Sequence, residues 1–188
     1  MRSSQLSMKF RTWGGRRKGA GRKPNGERPG VSHLRRPALA SRFPVHVTLK
    51  MRREVYSLRS ARCFRALHRC FLAGRDRFGF RLAHYSVQGN HIHLLVEGLD
   101  ATALSRGMQG LGIRIACALN RVMKRRGHVL ADRYHSRILR TPTEVVRARR
   151  YLRTNAEHHG IRRTSGVDPF ASVEAVVAPR TWLLRRLE

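Results

Sequence analysis

Two apolar segments separated by a short polar turn limit the folds that this chain can adopt. The first, FGFRLAHYSV, covers residues 78–87, and the second, HIHLLVE, covers residues 91–97. Both are rich in the aromatic, aliphatic and β-branched residues that favour strands, and Gln88-Gly89-Asn90 between them is typical of a turn. The pattern therefore predicts a β-hairpin, which requires an antiparallel sheet.

The second strand of this hairpin carries two histidines one residue apart. Because successive side chains of a strand point to opposite faces, His91 and His93 share one face, whereas Ile92, Leu94 and Val96 share the other. Two interpretations are open at this point. The imidazoles are either polar residues on the wet side of an amphipathic strand or a pair of nitrogen ligands on a functional surface.

Other segments extend the hairpin into a recognisable order of elements. The alternating VHVTLKM, residues 45–51, predicts a strand, and residues 53–77 predict an amphipathic helix that ends near Gly74. Its apolar positions are Val55, Leu58, Cys63, Leu67, Cys70 and Phe71. Residues 99–127 are compatible with a helix, and YHSRIL, residues 134–139, is extended. This order predicts an α+β fold, a ferredoxin-like split βαβ sandwich with an antiparallel sheet.

A further helix is predicted after these elements, and its start is well marked. Thr141 is the expected N-cap, Pro142 occupies the first helical position, and Glu144 stands in capping-box register. The helix should end before Gly160. Three side chains run along it at i, i+4 spacing: Arg147, Tyr151 and Asn155.

The remaining residues, 161–188, are expected to form a loosely packed C-terminal extension. The apolar residues expected to dock it on the domain are Phe170, Trp182 and Leu183. The three cysteines, Cys63, Cys70 and Cys117, lack the paired spacing of a zinc or redox site and are expected to be reduced core residues.

Charge indicates the class of partner. The chain of 188 residues has 40 Lys and Arg against 11 Asp and Glu, a formal net charge of +29. This imbalance favours a polyanionic partner, and nucleic acid fits better than a membrane because the charge is spread along the chain. No segment approaches a membrane span or an apolar secretory signal, so we expect a cytoplasmic, nucleoid-associated protein.

Residues 1–44 contain twelve Lys and Arg and a single acid, Glu27, for a net charge of +11. With so little to bury, they are predicted to be a flexible basic DNA-binding arm outside a folded domain of residues 45–160. Within the arm, GGRRKGAGRKP interleaves glycine with cations, which suits close approach to phosphates. The predicted DNA-binding residues are Arg16, Arg17, Lys18, Arg22 and Lys23, together with Arg147 of the late helix.

Four motifs, in this order, resemble those of the HUH single-strand nucleases, and in particular of the REP-associated tyrosine transposases. They are GGRRKGAGRKP, GNHIHLLVE, DRYHSRILRTP and RYLRTNAEHHG with its Tyr-x-x-x-Asn, and they span the chain from about Gly14 to Gly160. The chain departs from the family at Gln88-Gly89, where members often have Met-Pro, and at Asn155-Ala156, where many have Asn-Pro. Both departures concern turn or helix-end geometry and retain the expected reactive groups.

The resemblance implies an enzyme that nicks and rejoins single-stranded or hairpin DNA, in transposition or in the processing of repetitive palindromes. Tyr151 is then the nucleophile that forms a covalent phosphotyrosine. His91 and His93 are the implied ligands of a divalent metal, Mg²⁺ or Mn²⁺, and Asn155 is the implied third ligand or an orienter of the metal site. No protein partner is implied, and the chain is expected to act as a monomer or homodimer.

Alternatives remain for the site and for the function. Tyr134 and His135 compete for the tyrosine and ligand roles, although we expect them to be sheet residues in addition to the helix tyrosine. Tyr151 and Asn155 can also be interpreted as a packing aromatic and a helix-end residue. Two other functions also remain open for the chain. It can be a noncatalytic binder of nucleic acid, RNA included, or a metal-dependent nuclease that uses water.

Overall fold

Five strands form one antiparallel sheet in the computed structural model, which describes residues 36–158 and 168–186. The strands are β1 (Val45–Lys50), β2 (Asp76–Arg77), β3 (Phe80–Val87), β4 (His91–Gly98) and β5 (His135–Ile138). Their order is β2-β3-β4-β1-β5, and every neighbouring pair is antiparallel. Without the short β2, this is the order of a split βαβ sheet, so the predicted α+β fold is confirmed.

Two long helices cover one face of the sheet. They are α1 (Ala61–Gly74) and α2 (Ala101–Val122). The main core lies between them and the strands, and it includes Ile92, Leu94 and Val96 of β4. The alternation in the sequence therefore assigned the two faces of β4 correctly.

The other face of the sheet is covered by α3 (Pro142–His158), with the short α4 (Trp182–Arg185) packed against it. A second, smaller core forms here, to which β4 contributes Leu95 and α3 contributes Val145, Ala148 and Leu152. Because His93 and His91 are two and four residues before Leu95 along the strand, they lie on the face that α3 covers.

The start of α3 has the predicted capping box. The hydroxyl of Thr141 accepts a hydrogen bond from the Glu144 backbone N–H at 3.2 Å, and the Glu144 carboxylate accepts one from the Thr141 N–H at 3.3 Å. The pKa of Glu144 is lowered, chiefly because its carboxylate also accepts a hydrogen bond from the Arg140 backbone N–H. The helix extends to His158, the last described residue of this segment, and the predicted end before Gly160 lies outside the described residues.

Two details of the predicted helices were wrong. The first helix begins only at Ala61, where the Ser60 hydroxyl caps the Cys63 N–H, although Val55 and Leu58 were assigned to it. Both are buried in the preceding loop, so their apolar character reflects burial rather than helical spacing. Cys117 is exposed rather than buried, because it lies on the outer side of α2 between the inward positions Ile115 and Leu119.

The C-terminal segment is tied to the edge of β3 and to the start of α1. Backbone hydrogen bonds join Val87 N–H to Phe170 O at 2.9 Å and Val176 N–H to Ala83 O at 2.7 Å. Asp168, 2% exposed, accepts two hydrogen bonds from the Arg59 guanidinium at 2.8 and 2.9 Å. The segment therefore closes an edge of the sheet that would otherwise present unpaired backbone groups.

A second anchor of this segment is Glu97 at the end of β4. Its buried carboxylate accepts hydrogen bonds from the backbone N–H groups of Arg180 and Thr181 at 2.7 to 3.1 Å. The predicted docking is confirmed for Phe170, which packs on the main core, and for Leu183, which is buried in the second core. It was wrong for Trp182, which is 54% exposed beside the Arg186 guanidinium.

The last residues of the predicted basic arm, 36–44, contact the sheet. The Arg36 guanidinium donates to the Tyr134 carbonyl at 2.8 Å and lies 3.6 Å from the centroid of the Tyr134 ring, and Leu39 is buried. The five predicted DNA-binding residues of the arm, Arg16, Arg17, Lys18, Arg22 and Lys23, lie outside the described residues. Among residues 36–158 and 168–186, no helix has both the length and the apolar character needed to cross a membrane.

Candidate functional site

Strand pairing builds a polar row across the α3 face of the sheet. His93 pairs with Thr48 of β1 on one side and with Ser86 of β3 on the other, and Thr48 pairs in turn with His135 of β5. Two residues earlier on β4, His91 pairs with Lys50. The antiparallel register therefore brings imidazole, hydroxyl and cationic groups together on neighbouring strands.

The ring of His93 is fixed by two neighbours on β1. Its Nδ1 lies 3.1 Å from the Thr48 hydroxyl and 3.2 Å from His46 Nε2, and its side chain is buried. Hydrogen bonding at one ring nitrogen sets the tautomer and leaves the lone pair of the other for a ligand. In the tautomer whose Nδ1–H is donated to Thr48 or His46, the nitrogen with a lone pair for a metal is Nε2.

His91 is oriented in a comparable way. Its Nδ1 lies 2.8 Å from Oδ1 of Asn90, and because an amide oxygen only accepts, this contact favours the tautomer with the proton on Nδ1. The centroids of the two predicted ligand rings, His91 and His93, are 4.8 Å apart. The structure therefore brings these two predicted site residues together, each with Nδ1 held by a neighbour.

His46 is a neutral partner of this pair. Burial, with a smaller contribution from the nearby His135 and Arg137, lowers its pKa from 6.5 to about 4. An imidazole that stays neutral at pH 7 accepts or donates a hydrogen bond without adding a positive charge beside His93.

Tyr151 is placed over these histidines by α3. Its ring centroid lies 5.1 Å from that of His93, with the rings nearly perpendicular at 82°, and 6.1 Å from that of His46. The adjacent Leu152 is buried in the second core, which fixes the rotation of the helix, whereas Tyr151 remains 37% exposed. Tyr151 is thus held at the histidine face and is still reachable from solvent.

Asn155 follows one helical turn after Tyr151 and is completely buried. Neither its amide oxygen nor its amide nitrogen has a hydrogen-bond partner within the described part of the chain. A buried amide without partners costs free energy, so such a group calls for an explanation such as an ion or a water. A metal bound beside it would supply one, since an amide oxygen is a suitable ligand for Mg²⁺ or Mn²⁺.

The chemical types of the donors, two imidazoles and one buried amide, are suited to a divalent cation. Within residues 36–158 and 168–186, no three His, Cys, Asp or Glu side chains are grouped to hold a metal ion. A metal at this place would therefore have to be held by the imidazoles of His91 and His93 with an oxygen donor such as the Asn155 amide, rather than by a carboxylate cluster.

The remaining candidates lie apart from this pair. Arg147 is exposed on α3, one turn before Tyr151. His135 is exposed on β5, in the same polar row as His93, whereas Tyr134 packs against the main core on the opposite face. Tyr134 thus packs on the core just before β5, so of the two residues that were expected in the sheet only His135 belongs to a strand.

Sequence reasoning missed three residues that shape the site: His46, Thr48 and Asn90. The signal for the first two was present, because His46 and Thr48 alternate with Val45, Val47 and Leu49 and so occupy the polar face of the first strand. Pairing β1 with β4 was needed to bring them to His93, and the register of that pairing is not readable from either strand alone.

Comparison with known proteins supports the fold. No protein-family model matches the chain, and no curated protein matches it significantly. A solved structure of a REP-associated tyrosine transposase bound to a REP hairpin superposes with a TM-score of 0.63 and 14% sequence identity, covering 76% of this chain and 83% of that one. The chain therefore shares the fold of that transposase, an α+β fold with an antiparallel sheet.

Proposed function

We propose that this protein is a DNA endonuclease and strand transferase that acts on single-stranded or hairpin DNA through a covalent phosphotyrosine at Tyr151. The observation that carries the proposal is the position of the Tyr151 ring, 5.1 Å from His93 and on the sheet face that also holds His91. A nucleophile beside oriented imidazoles, at a surface open to solvent, is the arrangement that phosphoryl transfer to a side chain needs.

In this reaction the phenolic oxygen of Tyr151 attacks the phosphorus of a phosphodiester. The new Oη–P bond forms as the bond from phosphorus to the 3′ oxygen breaks, and the departing strand takes up a proton to leave as a 3′ hydroxyl. The phenol releases its proton to solvent. Because one ester is exchanged for another, a later 3′ hydroxyl can reverse the step without ATP, which suits strand transfer better than hydrolysis.

We further propose that His91, His93 and Asn155 hold Mg²⁺ or Mn²⁺. When bound, such a cation polarises the scissile phosphate and offsets the negative charge that develops on it. Thr48 and Asn90 orient the two imidazoles, and Asn155 supplies an amide that has no hydrogen-bond partner among the described residues. Arg147 lies on the same helix, one turn before Tyr151, and is suited to contact the DNA backbone.

The DNA partner is supported by charge and by the fold. The net charge of +29 favours a polyanion, and the solved structure with the same fold is that of a transposase bound to a REP hairpin. A single strand or a loop is the better substrate because its phosphates can enter a site built on the face of a sheet, whereas paired strands are held in a duplex.

Incubation with a hairpin oligonucleotide and Mg²⁺ or Mn²⁺ tests this proposal. The wild-type protein should form a protein–DNA adduct that survives denaturation, and Tyr151→Phe should lower adduct formation by about 1,000-fold or more, because it lacks the attacking oxygen. The matched controls are Tyr56→Phe, an exposed tyrosine outside the site, and Tyr134→Phe, a partly buried tyrosine that packs against the main core. Both should retain the adduct.

Other outcomes of this experiment identify the rival functions. Cleavage that persists in Tyr151→Phe without an adduct would indicate a nuclease that uses water. Binding without any cleavage in the wild type would indicate a noncatalytic nucleic-acid binder. Either result would contradict the proposed phosphotyrosine.

We also propose that the basic N-terminal residues bind phosphates of the DNA. Residues 1–35 carry ten Lys and Arg and one acid, and they precede the part of the chain that the structure describes. Their deletion should shallow the slope of log affinity against log salt by several units, since binding releases about one counterion for each phosphate that the protein neutralises. The deletion variant should still form the adduct at low salt. An unchanged slope in a salt titration would show that this segment does not touch DNA.

A further inference from the structure

The turn between β2 and β3 holds a phenylalanine in an unfavourable conformation. Phe78 and Gly79 form a two-residue hairpin loop with φ of 49° and 81°. Such loops favour Asn-Gly or Asp-Gly, and a bulky residue with positive φ is a genuine outlier. Phe78 is also 92% exposed. An apolar ring that is both strained and exposed gives the isolated fold no benefit, which points to a use in binding.

A cavity of about 420 Å³ opens beside this ring. Its walls include the rings of Phe78 and Phe80 and the backbone of α2 at Gly107 and Gly110. A Cβ at Gly107 would lie 2.1 Å from Phe80, whereas a Cβ at Gly110 would meet no atom within 4 Å. Gly107 therefore lets Phe80 pack against bare backbone, and Gly110 faces open space. The floor of the cavity is thus apolar.

Positive charge surrounds this cavity. Arg77, Arg106 and Arg114 line it and are exposed, and none of the described residues that line it is acidic. The Nε–H of Arg77 donates to the Ala73 carbonyl at 3.1 Å, which anchors its guanidinium at the end of α1. The site therefore combines an aromatic surface, an apolar floor and three cations.

We propose that this cavity binds an unpaired nucleobase, which stacks on Phe78 while the arginines contact the adjoining phosphates. An aromatic ring with surrounding arginines is the chemistry that recognises single-stranded nucleic acid. In taking nucleic acid as the partner, this inference rests on the proposed function, but it concerns a separate site. The main core, and so the α1 and α2 side of the sheet, holds Phe80, whereas Tyr151 lies on the α3 side.

The distance between the two sites is considerable. Phe80 begins β3, and Ser86, which pairs with His93, lies six residues further along the strand. At about 3.3 Å per residue, the cavity is roughly 20 Å from the histidine pair along the sheet. A base held here would anchor an unpaired part of the substrate away from the phosphate that reacts at Tyr151.

Binding measured on the full chain in EDTA tests this site without cleavage. The two probes are oligothymidylate and the same backbone with abasic sugars in place of the thymidines. Phe78→Asn should lower affinity for oligothymidylate by about 5- to 100-fold, because a stacking surface is removed, and leave affinity for the abasic strand unchanged. Gly110→Leu should act likewise by filling the cavity, and Phe78→Tyr, which keeps the ring, should bind as the wild type does.

Thermal unfolding separates this role from a structural one. Asn tolerates positive φ, so Phe78→Asn should raise the melting temperature by about 2–8 °C while it weakens base binding. If Phe78→Asn and Gly110→Leu bind oligothymidylate as tightly as the wild type, or lose affinity equally for both probes, the nucleobase site is wrong. That result would not affect formation of the Tyr151 adduct, which is measured in a separate assay. Absence of the adduct would likewise not affect the affinities measured for the two probes.

Discussion

His91→Ala and His93→Ala should each lower strand cleavage by about 100-fold or more while the protein keeps its affinity for DNA. If the two histidines hold the metal as proposed, their loss removes charge stabilisation worth several kcal/mol from the transition state, whereas the proposed contacts to DNA are made mainly by arginines elsewhere in the chain. His91 is the cleaner of the two tests, because it is only partly buried, whereas His93 is buried and also contacts two side chains of β1.

Cleavage of a hairpin in Mg²⁺ or Mn²⁺ measures the first effect, and binding in EDTA measures the second. His128→Ala is the matched control, since His128 is an exposed histidine outside the site. Direct titration of the protein with Mn²⁺ should show a weaker site in His91→Ala and in His93→Ala. Equal loss of DNA binding and folding in both would count against a ligand role and favour a structural one.

Arg59→Ala should lower the melting temperature by about 6–20 °C, the largest effect on stability that we expect of a single substitution. The Arg59 guanidinium binds the buried carboxylate of Asp168, donates to the Val87 carbonyl at 2.9 Å and lies 4.2 Å from the centroid of the Phe170 ring. Its removal leaves a buried charge without its partner, which costs about 3–5 kcal/mol.

Thermal unfolding of two further variants makes this prediction specific. Arg52→Ala removes an exposed ion pair with Glu54, so its effect should stay below about 1 kcal/mol. Adding Asp168→Ala to Arg59→Ala should restore part of the stability, because the unpaired carboxylate is then gone. A melting temperature unchanged in Arg59→Ala would show that the C-terminal segment does not depend on this pair.

Much of the fold was predictable because its elements carry strong local patterns. The alternation in β4 assigned its core face and its histidine face correctly, and the capping box located the start of α3 within one residue. The two-residue strand β2 was not predictable, since its Asp76-Arg77 has neither length nor alternation. The start of α1 was misplaced because burial of Val55 and Leu58 mimics helical periodicity.

The site was predictable only in part, for a physical reason. The sequence places His91 and His93 on one face by local geometry, but the contacts of His93 with His46 and Thr48 depend on the register of two strands more than 40 residues apart. The complete burial of Asn155 depends on how α3 packs, which no local pattern encodes. Phe78 was likewise assigned to a strand, because its positive φ is a property of the turn.

Mass spectrometry of the digested adduct tests the phosphotyrosine most directly. After reaction with a hairpin oligonucleotide, trypsin should release Tyr151–Arg153 from α3, since arginines stand at positions 150 and 153. We predict that the nucleotide is attached to this peptide, through the oxygen of Tyr151. A nucleotide found on Tyr134–Arg137 instead, or cleaved DNA with no nucleotide on any peptide, would contradict the proposed mechanism.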